Sequence, residues 1–149
     1  MLMWRPVGMA ELRLIYESGL TAFPPRLPEQ PILYIVLNRE YAARISREWN
    51  TREKPFAGYV TEFEVEDDYA SRWERHLVGD RACEEIWVPA EQVSEFNRHV
   101  VPPIRVVAAH FGEGFQGFIP DGLLFAGRTV DEQLLLFAQL LGEGPMDSS

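Results

Sequence analysis

The chain is poor in the residues that build cross-links and metal centres. Cys83 is its single cysteine, so no intrachain disulfide can form and a thiolate metal site within one chain is excluded. The three histidines, His76, His99 and His110, stand far apart, with no HExxH, HxH or Cys/His pair, and no metal is expected. No serine lies in a G-x-S-x-G elbow. The glycines of FGEGFQGFIPDG fit neither a P-loop nor a dinucleotide fingerprint, because no GK[ST] follows them. Positive charge is also short. Lys and Arg number 14 against 23 Asp and Glu, for a net charge of -9 and a pI near 4.8. Such a balance argues against a chain whose main task is to hold phosphate backbones. The local cluster Arg44, Arg47, Arg52 and Lys54 reads as a solvated helix face and loop. No apolar run approaches the roughly 20 residues of a membrane helix. The start MLMWRPVG lacks the basic-then-apolar order of a secretory signal. The expected location is therefore cytoplasmic, with no membrane and no nucleic acid as partners.

What is present suits one folded domain spanning 1–149. The length of 149 residues allows a real core, and 46% hydrophobic with 12% aromatic residues supplies it. Leu2–Arg5 reads as an opening strand that Pro6 limits. Met9–Ser18 reads as a helix with Met9, Leu12, Ile15 and Tyr16 on one face, stopped by Gly19. Thr21–Pro31 carries four prolines, too many for a helix or an inner strand. Arg26 projects from this stiff frame, which is either a connector or a wall over a ligand site. Ile32–Leu37 is a buried strand by length and composition, and Asn38 can cap the next helix. Within that helix Tyr41, Ile45 and Trp49 recur every four residues, with Ala42 beside them, and should dock on the core.

Gly58–Glu66 alternates cleanly, with Tyr59, Thr61, Phe63 and Val65 on one side. Trp73–Val78 and Glu84–Val88 would form a hairpin about Gly79-Asp80. Pro89–Asn97 reads as a short helix, Pro102-Pro103 as a break, and Ile104–Ala109 as a last strand. Thr129 and Glu132 make a capping box for a final helix to about Leu141, and 142–149 should fray. Strands dominate the middle without regular strand–helix alternation, which predicts an α+β domain.

The stretch Arg81–Pro103 sets two adjacent carboxylates, Glu84 and Glu85, against the apolar strand Ile86, Trp87, Val88. Side chains alternate along a strand, so Glu85 shares a face with Trp87 and lies on the Pro89 side. Glu85 is thus either a catalytic acid at a sheet edge or part of a solvated acidic rim.

A strand ending in Arg5, a helix closing at Ser18-Gly19-Leu20, the strand in ILYIVLNREYA and the later EEIWVP together resemble the ADP-ribosyltransferase-like architecture. WRPVG, FPPRLPEQPI, WVPAE, FNRH and GFIP more closely resemble a small, uncharacterised bacterial family labelled "ADP-ribosylation/crystallin J1". This second resemblance covers most of the chain. It implies a split antiparallel β-sandwich of ADP-ribosyltransferase type with flanking helices. The ADP-ribosyltransferase likeness implies NAD as a co-substrate, with Arg5 on the ribose or phosphate, Tyr34 framing nicotinamide, and Glu85 as the transfer carboxylate; Arg26, on its proline frame, is a further candidate for holding the cofactor. Cleaving the nicotinamide–ribose bond builds positive charge on the ribose, which a carboxylate on the 2′-hydroxyl stabilises. The chain departs from the family pattern at Cys83, where arginine-modifying members carry an acid or amide, and in having no Ser-Thr-Ser motif. Two functions follow. One is an NAD-dependent ADP-ribosyltransferase or NAD glycohydrolase. The other is a non-catalytic module that binds a nucleotide-like ligand such as ADP-ribose, or a protein partner through Phe111–Phe125.

Overall fold

A computed structural model of the chain describes residues 1–54, 56–79, 83–113 and 115. The final helix and frayed tail expected from the sequence lie outside these residues, as does most of the Phe-rich segment. The described chain is mixed α+β. Six strands form one antiparallel sheet in the order β4-β5-β2-β1-β3-β6. These are β1 (Leu2–Gly8), β2 (Ile32–Val36), β3 (Ala57–Val65), β4 (His76–Leu77), β5 (Glu84–Pro89) and β6 (Val100–Phe111). Four helices accompany them: α1 (Met9–Glu17), α2 (Arg39–Glu48), α3 (Asp67–Ala70) and α4 (Val93–Arg98). Among the described residues no helix is long and apolar enough to cross a membrane.

Period-two alternation assigns the two faces of the sheet. Met3 and Val7 of β1, Leu33 and Ile35 of β2, Tyr59, Phe63 and Val65 of β3, and Ile86 and Val88 of β5 enter one main core. Leu12 and Ile15 of α1, Phe23, and Val93 and Phe96 of α4 close that core from the same side. On the opposite face α2 lays Ala42 and Ala43 against Val36 and Val60, with Trp4, Tyr41 and Ile45 around them. The expected caps hold. Asn38 Oδ1 accepts from the Tyr41 amide at 2.9 Å at the start of α2. Gly19 takes the left-handed conformation, φ 80°, after α1.

Several boundaries differ from the sequence reading. β1 runs through Pro6 to Gly8. On its β2 flank the ladder is a single register pair, Trp4↔Val36, so Pro6 adjoins no partner there that its missing N–H would deprive. β6 runs through Pro102-Pro103 rather than starting after it, because β6 is an outer strand of the described sheet. The strand expected over Trp73–Val78 is only His76–Leu77, and Pro89 ends β5 instead of opening a helix. Trp49 is 63% exposed at the end of α2, while Ala42, Ala43 and Ser46 are buried against the sheet with Tyr41 and Ile45 packed beside them. Small side chains let that helix lie close to the sheet, and its larger spaced residues fall toward the margin. Tyr34 is half exposed rather than buried in its strand, since it lies on the α2 side of the sheet at the β2–β5 end.

Candidate functional site

β1 pairs with β3 along its whole length, from Leu2↔Glu64 to Gly8↔Gly58, but with β2 only at Trp4↔Val36. Beyond that pair the two strands part, and a cavity of about 520 Å³ opens between them. Arg5 and Gly8 line it from β1, Glu11 from α1, Arg26 from the proline-rich loop, Tyr34 from β2, and Asn50 from the turn after α2. Such a break in a ladder leaves backbone polar groups to be satisfied by side chains. Arg5 does this: its Nη1 donates to the Tyr34 carbonyl at 2.8 Å.

The rest of the Arg5 guanidinium is held by Glu11. Nε donates to Oε2 at 2.6 Å and Nη2 to Oε1 at 2.8 Å, a bidentate fork that ties α1 to β1. Arg26 reaches the same carboxylate, donating from Nη2 to Glu11 Oε1 at 3.3 Å and to the Pro24 carbonyl at 3.3 Å. The side chains of Arg5, Glu11 and Arg26 are 13%, 17% and 5% exposed. Burial pushes the Glu11 carboxyl upward, but the Arg5 and Arg26 guanidiniums outweigh it, and its pKa lies below the ordinary carboxylate value. Two buried polar atoms of the wall have no partner, Arg26 Nε and Asn50 Oδ1. Glu29, Glu53 and Lys54 stand exposed at the rim.

Glu85 occupies a different setting. It is 8% exposed on the α2 side of the sheet, as alternation with Trp87 requires. Its Oε2 accepts from the Tyr41 hydroxyl at 2.5 Å and its Oε1 from Trp87 Nε1 at 2.8 Å. Burial, followed by the bond to Glu85, raises the Tyr41 pKa well above the ordinary phenol value, so this donor stays protonated. His76 stacks on Trp87 at 3.7 Å between ring centroids, and Tyr34 meets Trp87 edge-on at 6.2 Å. Arg44 donates to Cys83 Sγ at 3.1 Å beside this group.

Arg5, Arg26 and Tyr34 all border one cavity and Glu85 lies outside its lining, but the Tyr34 ring sits on the α2 side of the sheet against Trp87, opposite Arg5, and meets Arg5 only through its carbonyl. The carboxylate of the cavity's inner wall is Glu11, which the sequence reading did not single out. Its only sequence signal is a place in the first turn of a helix that follows directly on the strand bearing Arg5. Asn50, in the polar stretch after α2, carries no sequence signal of its own. No cluster of metal-ligating side chains occurs among the described residues. Comparison with family models, with curated proteins and with solved structures finds no match to this chain.

Proposed function

We propose that the protein is a small-molecule-binding module of ADP-ribosyltransferase-like architecture, taking a nucleotide-like ligand such as NAD or ADP-ribose in the cleft where β1 and β2 part. The observation that carries this reading is the convergence of the Arg5 and Arg26 guanidiniums on one cavity that Tyr34 also borders. A concave site with a few convergent polar groups is the usual form of a small-ligand pocket. The described strands form one six-stranded sheet and not the expected two-sheet sandwich, and the single pair joining β1 to β2 is the feature that supports a split.

Binding without turnover is favoured over catalysis by the state of Glu85. Both of its oxygens are engaged by Tyr41 and Trp87, and it does not line the cleft. The transferase or glycohydrolase reading rests on the burial of that same carboxylate beside the Tyr34–Trp87 pair, and requires Trp87 to release it. Calorimetric titration with NAD and ADP-ribose, run beside an assay for released nicotinamide, tests both. Saturable binding without nicotinamide is the expected result. Nicotinamide release that Glu85→Gln abolishes would establish the enzyme instead, and absence of binding to either nucleotide would end the proposal.

A further inference from the structure

The two arginines of the cleft differ in how far their hydrogen-bonding capacity is used. Arg5 has all three guanidinium nitrogens engaged, two on Glu11 and one on the Tyr34 carbonyl. Arg26 has one. Its Nη2 makes two bonds at 3.3 Å, its Nε is buried without a partner, and its Nη1 makes no hydrogen bond among the described residues. This is the more buried of the two side chains, at 5% exposed against 13%. A buried cation with open donors carries a desolvation cost that its protein surroundings have not repaid. Burial, with Arg5 nearby adding to it, lowers the Arg26 pKa from its ordinary value against the pull of Glu11, in keeping with a cation left short of negative charge.

The charge count of the inner wall points the same way. Arg5 and Arg26 face one carboxylate, Glu11, which leaves one positive charge in excess where the side chains are buried. The exposed rim adds Lys54 against Glu29 and Glu53. A single anionic group is therefore accommodated inside, while a second would meet an acidic rim.

We propose that Arg26 is the anion-gripping residue of the cleft, that it receives one anionic oxygen group of the ligand, a phosphate or a carboxylate, and that Arg5 is a structural pin. This deepens the nucleotide-binding reading of the same cleft and rests on it only for the source of the anion. The Nη1 group, which makes no hydrogen bond among the described residues, supplies the grip, a charge-assisted one. Arg5, held on three sides, keeps β1, β2 and α1 in register around it.

Titration of the full chain with AMP, ADP-ribose and benzoate tests the assignment. The wild-type protein is expected to bind AMP and ADP-ribose within about threefold of each other, since only one anion is held. Arg26→Gln is expected to weaken the bound probes by about tenfold or more, the size of a lost charge-assisted bond, while the circular dichroism spectrum is retained. Should the Gln variant fail to fold, Arg26→Lys decides, because it keeps the charge and loses the planar donors; it is expected to bind several times more weakly, about the loss of one neutral-strength hydrogen bond. Nucleotides bound equally by wild type and by the folded Gln variant, or by the Lys variant, would overturn the role of Arg26 and leave the nucleotide reading standing. ADP-ribose bound a hundredfold tighter than AMP would overturn the single-anion claim. Benzoate bound through Arg26, with neither nucleotide bound, would support the assignment and end the nucleotide reading. No binding of any of the three would overturn both.

Discussion

Two carboxylates sit on opposite sides of the sheet, Glu11 partly buried and Glu85 buried, and they are held in different ways. Glu11 stands between two guanidiniums on the wall of an open cavity. Glu85 is held by two neutral donors, a phenol and an indole, outside that cavity. The first is fixed by charge and the second by hydrogen bonds alone. Removing the charge of Glu11 therefore strands two buried cations, whereas removing that of Glu85 strands none. The contrast also separates accessibility from burial: Glu85 is the more buried residue, yet Glu11 is the one that a ligand in the cleft would meet.

The same substitution at both positions measures that contrast, and the largest effect is expected at Glu11. Glu11→Gln preserves shape but leaves Arg5 and Arg26 without compensation, at a cost of about 3 kcal/mol, in the range for a broken buried ion pair. Urea unfolding of the two proteins at neutral pH checks it. The pH dependence sharpens the point. Glu11 has a lower pKa folded than unfolded, so its ionised form adds stability at every pH above the unfolded value, about 4.3. That contribution disappears as pH falls through the lower folded value. The stability gap between wild type and Glu11→Gln is thus expected to be flat from pH 7 to about pH 5 and to shrink below about pH 4. A gap that stays constant in acid would mean that the Arg5–Glu11–Arg26 charges do not carry the effect.

The sequence displayed one of these two settings better than the other. Period-two alternation put Glu85 on the Trp87 face, and the hydrogen bond between the two follows from that shared face. It equally displayed β3, where Tyr59, Thr61, Phe63 and Val65 turn to the core, and the caps at Gly19 and Asn38. Local rules suffice for such features. Glu11 was invisible because its partners come from a strand before it and a loop after it, joined only by the fold. Pro6 and Pro102-Pro103 misled for a related reason. Proline is excluded from strands whose two flanks are both paired, and which flanks are paired is a property of the sheet order. In α2 the four-residue spacing found Tyr41, Ile45 and Ala42, which do pack on the sheet, but it also drew in exposed Trp49 and passed over Ala43 and Ser46, whose smallness helps the close approach. One glycine shows how tight that approach is. A Cβ on Gly58 would lie 2.5 Å from Ser46 Oγ and 2.8 Å from the Ser46 carbonyl oxygen. Gly58→Ala is accordingly expected to cost about 1–3 kcal/mol through overpacking, read as a lower urea midpoint.

Around Glu85 the expected effects are smaller, and their order is itself diagnostic. Tyr41→Phe removes one donor and leaves Oε2 of a buried carboxylate without it, for a loss of about 1–2 kcal/mol. Glu85→Gln should cost less, under about 1 kcal/mol, because two changes oppose each other. The bonds from Tyr41 and Trp87 weaken when their acceptor loses its charge, but a buried charge no longer has to be desolvated. The amide also fits the site. Its oxygen can still accept from Trp87 Nε1, and its NH₂ can donate to the Tyr41 oxygen once that hydroxyl turns. Nucleotide affinity should be unchanged, since the residue stands outside the cleft. Equal losses of stability from Glu85→Gln and Glu11→Gln would show that the two carboxylates are held by the same kind of force. Weakened nucleotide binding by Glu85→Gln would show that the two sides of the sheet act as one site.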